Sequence, residues 1–205
     1  MGKQQEKAAA AKRKLLAAAA ELFGTNEIAK VGVREICAHA GVTTGTFYHY
    51  YSGKDHIIDC LYQKRDAAFG LSLKQLSENP PYVEGIVSFF ADNLARTVKE
   101  DGIDFTRHRL FTMRKRSRGD MELYIGMDAL VELAVKNGEL AKELDVKKVR
   151  DYLFLVFRGV LYEWCISADE DRFDVQAAMR PAIACALRAF TCCERTETVI
   201  PERER

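Results

Sequence analysis

The sequence predicts an all-α protein of about nine helices, and three observations carry that prediction. Apolar residues recur at three- and four-residue spacing along almost the whole chain, the period of an amphipathic helix. The apolar–polar alternation of a half-buried strand is nearly absent. Prolines number four, of which Pro80-Pro81 and Pro201 read as punctuation between or beyond helices. A chain of 205 residues buries a sizeable core, as one large domain or two small ones.

The first helix is expected from about Gln4 to Phe23, where Ala, Leu, Lys and Glu dominate. Leu15, Ala19, Leu22 and Phe23 mark its buried face. A short second helix covers about Val33 to Ala40, with Val33, Ile36 and Cys37 inward, and Gly41 supplies the stop. A third covers about Thr44 to Tyr50. Ser52-Gly53-Lys54-Asp55 reads as a capping box, Ser52 capping the fourth helix and Asp55 reaching back to it. That helix runs to about Leu76, and Asn79-Pro80-Pro81 ends it. Five more helices follow, near 82–99, 103–116, 120–137, 146–166 and 174–191. Val149, Leu153, Val156, Val160 and Trp164 form one apolar stripe; Ala178, Ala182, Ile183, Ala186, Leu187 and Phe190 form another. Pro181 interrupts the second and predicts a kink or a restarted helix. The charged, apolar-poor tail from Glu194 to Arg205 is expected to fray.

Composition narrows the class of function. Hydrophobic residues make up 48% and charged residues 30%, an ordinary globular mix, and the formal net charge is +1. The charge is unevenly spread: residues 1–54 hold eight Lys/Arg against four acids, and the remainder holds 23 against 26. A basic head on a mildly acidic body fits a polyanion-binding head. None of the six cysteines forms a C-x-x-C pair and no His stands at metal-ligand spacing from them, so neither a metal nor a cofactor is expected. The early apolar stretches are split by Lys12-Arg13-Lys14, and no apolar run approaches the roughly 20 residues that span a bilayer. A reducing cytoplasm is the expected compartment, with the thiols free and mostly packed. The adjacent Cys192-Cys193 reads either as packing near a helix end or as a redox switch.

The segment Val33 to Lys54 carries the function. Two short helices joined by a turn containing Gly41 and Val42 have helix-turn-helix spacing. Val42 plugs the angle between them, while Phe47 and Tyr51, four apart, face a small core. Thr43, Thr44, Thr46, Tyr48 and His49 are left nearer the outside, and Gly45 gives backbone access to a duplex. That outer face is nearly free of acid; its hydroxyls, phenol and imidazole can all donate to phosphate.

These residues resemble the DNA-binding region of the TetR family of bacterial regulators. The resemblance rests on Leu22-Phe23, on Ala40-Gly41-Val42, on Thr43 to Tyr51 in the form Thr-x-Gly-Thr-Phe-Tyr-x-Tyr-aromatic, and on Lys54; it spans about Leu15 to Leu61. It implies that Thr43 and Tyr48 bind phosphates, that Thr44, Gly45, Thr46 and His49 face bases or the groove wall, and that Lys54 anchors a phosphate. Arg34 matches a position that contacts the DNA backbone. The chain departs from the family pattern at Glu27-Ile28 and at Val31-Gly32, where the hydroxyl that caps the second helix and touches a phosphate is absent. Gly32 still serves as an N-cap at a cost of a few tenths of a kcal/mol relative to Ser. Arg34 or the basic N-terminal arm (Lys3, Lys7, Lys12, Arg13, Lys14) can replace the lost contact.

The resemblance further implies a DNA-binding domain over residues 1–54 and an effector-binding and dimerisation domain over 55–205, the last two helices forming a four-helix interface with their twins. Independently, the stripes Val149–Trp164 and Ala178–Phe190 are too apolar to sit exposed, and Gly159, Ala182 and Ala186 permit close helix approach. The pocket candidates are Phe89, Phe111, Met127, Tyr152, Phe157 and Trp164, with Phe90, Phe105, Met113 and Tyr124 as further large side chains; they suggest an apolar or aromatic effector. The basic cluster Arg107, Arg109, Arg114, Lys115, Arg116 and Arg118 reads as a solvated face or as a seat for an anionic effector or extra phosphates, and His108 within it reads as structural. The expected function is a sequence-specific regulator, a repressor released from a palindromic operator by a small molecule. Two alternatives stand beside it: a helical partner- or ligand-binding protein with a degenerate head, and an enzyme. Against the enzyme, no catalytic triad or metal spacing is visible, and Cys37 and His39, two apart, cannot share a helix face.

Overall fold

The computed structural model describes residues 2–112, 121–167 and 173–191, less the side chains of residues 3, 4, 111 and 112. Among these residues there is no strand. The helices are α1 (Lys3–Thr25), α2 (Val33–Ala40), α3 (Thr44–Tyr50), α4 (Lys54–Leu76), α5 (Tyr82–Ser88), α6 (Ala95–Asp101), α7 (Ile103–Thr112), α8 (Glu122–Lys136), α9 (Val146–Ile166) and α10 (Val175–Arg188). The π-helical segment Phe89–Leu94 joins α5 to α6 without a break, so nine rods are described, close to the boundaries expected from periodicity. The π turn was not foreseen. It lets Phe89, Phe90 and Ala91, consecutive in sequence, all be buried.

Two apolar cores form. The head core gathers α1 (Leu15, Ala19, Phe23), the following loop (Ile28, Val31), α2 (Ile36), α3 (Phe47), Tyr51 and the start of α4 (Ile57, Ile58, Leu61). Phe105 from α7 joins it, its ring 6.2 Å from that of Phe23 and 5.0 Å from that of Tyr62. The body core begins at Phe69 and Leu73 of α4 and takes in α5 through α10. The long helix α4 therefore belongs to both cores.

Carboxylates close the helix ends that the sequence leaves open. Asp145 and Asp174 cap α9 and α10, each accepting two backbone N–H groups of the first turn. Glu139 reaches from the α8–α9 connection to accept from Tyr82 N at 2.9 Å and Val83 N at 2.7 Å, satisfying the start of α5. Asp66, buried in α4, accepts the amides of Glu122 and Leu123, both at 3.1 Å, and so caps α8 from across the core. The expected capping box at Ser52–Asp55 does not form. Gly53 is the N-cap of α4, and His56 takes the reciprocal role, its Nδ1 accepting from Ser52 N at 3.1 Å.

Pro181 neither breaks nor restarts α10, which is continuous through it. The interface stripe also needs correcting. Val149 and Leu153 are buried and Val156, Val160 and Trp164 pack on the same core, so that stripe is spent inside the protomer. The exposed apolar face of α9 lies elsewhere, on Tyr152, Leu155, Tyr162 and Ile166, with the exposed Gly159 between them. Cys37 and Cys165 are buried, Cys60 is half-buried and Cys185 is exposed. Cys192-Cys193 and the charged tail lie outside the described residues.

Candidate nucleic-acid interface and interior site

The local geometry of the head follows from a few residues. Gly41 closes α2 in the left-handed conformation (φ 65°, ψ 38°), which only glycine adopts without strain. The Val42 amide then donates to Cys37 O at 3.0 Å, and half-buried Val42 packs between the two helices as expected. Thr43 caps α3, its Oγ1 accepting from Thr46 N at 3.2 Å. Phe47 is fully buried and Tyr51 almost so, and Tyr51 Oη donates to Lys12 O at 3.3 Å. Burial pushes the Tyr51 hydroxyl up to about 12, so it stays a neutral donor. With these two rings locked, the rest of α3 has one way to point.

Thr44, Gly45, Tyr48 and His49 are exposed and Thr46 is half-buried; Tyr48 retains 60% of its surface. The exposed patch carries hydroxyls, a phenol and an imidazole and no carboxylate. Thr43 and Thr46 Oγ1 lie 3.0 Å apart. A hydroxyl pair bonded to itself uses one of its two protons, so the other is available to a phosphate oxygen. Arg34 is exposed in the first turn of α2, and Lys7, Lys12, Arg13 and Lys14 are exposed along α1. Gly32 is the N-cap of α2 with no side-chain bond, and Val31 turns inward with 1% exposure. The residues that depart from the family pattern at Ile28 and Val31 thus serve the head core.

Lys54 is placed differently from the expectation. Its Nζ donates to the carbonyl oxygens of Ile28 at 2.9 Å, Val31 at 3.2 Å and Ala29 at 3.5 Å. An ammonium has three protons, and here three acceptors take them. In this structure Lys54 is a clasp on the loop between α1 and α2.

The effector candidates separate. Phe89, Met127 and Phe157 are buried in the body core, as are Phe90 and Tyr124, while Phe105 belongs to the head core. Tyr152 stands on the outer face of α9, 42% exposed, its ring 5.6 Å from that of Phe190, and does not face the interior. Trp164 is half-buried and lines a shallow cleft of about 280 Å³ with Lys99, Ile103 and Phe173. The Phe111 side chain, Met113, and Arg114, Lys115, Arg116 and Arg118 lie outside the described residues. Arg107 and Arg109 are both half-buried: Arg107 keeps 43% of its side chain exposed, pairs with Asp104 at 3.7 Å and donates to Cys165 O, and Arg109 lies over the Tyr62 ring at 5.8 Å. His108 is structural in the sense expected, its Nδ1 3.0 Å from Tyr62 Oη.

A polar cluster that sequence reasoning missed lies beneath α7. Tyr62, Arg65, Asp66 and Phe69 follow one another at inward spacing on α4, and Arg65 pairs with Asp101 of α6. Burial raises the Asp101 carboxyl against the opposing pull of Arg65 and Arg109. The signal was present in the sequence: two charged residues at positions where the α4 stripe demands apolar ones.

Comparison with known proteins fits this geometry. Residues 15–60 match the N-terminal region of bacterial regulatory proteins of the tetR family. The chain is 20% identical over 167 residues to the fatty acid metabolism regulator protein of Bacillus subtilis (strain 168), covering 78% of this chain and 85% of that one. Its fold is similar to that of SmeT, the repressor of the Stenotrophomonas maltophilia multidrug efflux pump SmeDEF (TM-score 0.71, 19% identity, 93% of this chain and 95% of that one). It is likewise similar to the transcriptional regulator FadR from Bacillus subtilis in complex with stearoyl-CoA (TM-score 0.66, 18% identity, 86% of this chain and 97% of that one).

Proposed function

We propose that this chain, which belongs to the TetR family of bacterial transcriptional regulators, is a repressor that a small apolar or amphipathic molecule releases from a palindromic operator. The observation that carries the reading is α3: a short helix locked by Phe47 and Tyr51, with an acid-free exposed face of Thr44, Gly45, Tyr48 and His49. Such a helix enters a major groove, with Thr46 and His49 facing base edges and Thr43, Tyr48 and Arg34 the phosphates. Residues 1–54 act as the head, and residues 55–205 as the body that receives the effector and dimerises. The exposed Tyr152, Leu155, Tyr162 and Ile166 of α9 supply the apolar face for a second copy. The curated relative's name and the stearoyl-CoA bound to a structural neighbour support an acyl effector class. The protein works in the cytoplasm and turns over no substrate. Among the described residues no cluster of metal-ligating side chains forms and no helix is long and apolar enough to cross a membrane.

The test is a gel shift with DNA from upstream of the protein's own gene at rising salt. Binding should weaken steeply because added salt lowers the entropy gained when the protein releases counterions from the duplex, and a shifted band should be lost when an effector is added. Absence of any band at low salt, with a folded dimer, refutes the reading and favours a partner-binding role for a degenerate head.

A further inference from the structure

The first helix begins well before the head core needs it. Leu15 is the first α1 residue buried in that core, yet the helix starts at Lys3. Residues 3–14, roughly 17 Å of helix at about 1.5 Å per residue, run ahead of it. They hold no large apolar side chain, only four alanines with Gln, Glu, Lys and Arg. All of these favour helix, so the segment is regular without a core of its own.

Packing therefore gives no reason for the charge this segment carries. It holds five Lys/Arg against Glu6 alone. Lys7, Lys12, Arg13 and Lys14 are exposed, and among the described residues none of them has an ion pair. The other carboxylate of α1, Glu21, is bonded to His39 at 2.7 Å. A cation elsewhere in the head behaves differently: Lys30 pairs with Glu27 at 2.7 Å. Like charges this close on one helix repel, and a facing polyanion removes that repulsion.

Tyr51 fixes where the charge sits. It ends α3, and its Oη donates to the Lys12 carbonyl at 3.3 Å. Its ring is held against Phe47, with centres 5.5 Å apart. The side of α1 that carries Lys12 is thus the side turned to the end of α3. At about 100° per residue Arg13 follows next around the helix, while Lys7 and Lys14, seven apart, share a stripe well away from Lys12. The start of α2, meanwhile, offers a phosphate no hydroxyl, because Gly32 caps it without a side chain.

We infer that the cationic half of α1 is a second DNA contact, in which Lys12 and Arg13 bind phosphates flanking the bases that α3 reads. The inference rests on the reading of α3 as a recognition helix and extends that interface along α1. Its contacts carry charge and no base preference.

The experiment measures binding of the full-length protein against salt, on a duplex that wild type enriches from random DNA and on an unrelated duplex. K12Q/R13Q is compared with K7Q/K14Q, which removes the same charge from the same helix on another face. K12Q/R13Q should lower the salt slope by about two to four, since each copy loses up to two phosphate contacts at about 0.9 each. A slope lower by about two makes binding roughly a hundredfold weaker at about 0.1 M salt, relative to curves that meet near 1 M. K12R/R13K should keep the wild-type slope, and K12Q/R13Q should still enrich the wild-type motif. An unchanged slope in K12Q/R13Q, an equal fall in K7Q/K14Q, or a changed motif overturns the assignment. Should K12Q/R13Q lose helical content, K12Q and R13Q decide singly by the sum of their slope changes. The premise is tested apart. If wild type enriches a motif and K12Q/R13Q leaves the slope unchanged, the reading of α3 stands and the contact along α1 falls. If K12Q/R13Q lowers the slope on both duplexes and wild type prefers neither, the contact stands and sequence reading by α3 falls. Absence of binding to either duplex refutes both.

Discussion

Lys54 has contacts, made only by the fold, that bear on the role read from its position in the sequence. A phosphate anchor needs protons directed at solvent, whereas Lys54 directs its protons at the carbonyls of Ile28, Ala29 and Val31. Lys54→Met should therefore cost about 1–3 kcal/mol in urea unfolding, the scale of lost bonds to a charged group. It should weaken DNA binding through the loop while leaving the salt slope unchanged. A slope lower by about one would mark Lys54 as a phosphate contact after all. Gly102 makes a second claim at this scale. Its backbone (φ 82°, ψ 166°) lies in a region that glycine alone occupies readily, and a Cβ there would sit 3.0 Å from Gly24 O. Gly102→Ala should cost about 1–3 kcal/mol by thermal or urea unfolding, and it strikes where α6 and α7 meet the end of α1. Neither role is legible in the sequence, because the partners stand tens of residues away and only the fold brings them together.

At the scale of elements, periodicity located every described helix to within a few residues, since apolar spacing and the Gly41 stop are local signals. It could not reveal the π turn at Phe89–Leu94, which arises because a crowded core admits three consecutive inward residues there. Nor could it say which stripe of α9 faces its own core. A helix apolar on two sides has two candidate faces, and periodicity does not label them. The start of α5 carries a pH prediction. Burial raises the Glu139 carboxyl, but the amides of Val83 and Tyr82 and the side chain of Asn137 outweigh it and hold it below the ordinary value. A depressed carboxylate adds stability above its unfolded-state value and loses that contribution as pH falls through the folded one. Wild type should therefore lose stability relative to Glu139→Gln between about pH 5 and pH 3. Parallel unfolding curves of the two proteins across that range would contradict the role given to Glu139.

The whole molecule is organised around α4, which lends Ile57 and Leu61 to the head core and Phe69 and Leu73 to the body core. Phe105 reaches back from α7 into the head core, so α7 touches both cores of the molecule. The outward face of α9 is the surface proposed for a second copy. Leu155 and Tyr162, each 58% exposed, lie one helix face apart from the protomer's own core. Leu155→Glu should convert the dimer to a monomer in sedimentation experiments without loss of helical content, because it buries an unpaired charge only in the assembly. DNA affinity should fall with it, since two half-sites are held together by one dimer. The central claim is that α3 reads sequence in two copies. Selection of bound DNA from a random pool tests it most directly, with wild type beside Thr46→Ala and His49→Ala. Wild type should enrich a palindrome whose half-site centres are one helical turn, about 34–36 Å, apart, and each variant should relax or change bases in both halves. Enrichment of no motif, or of the same motif by all three proteins, would contradict it.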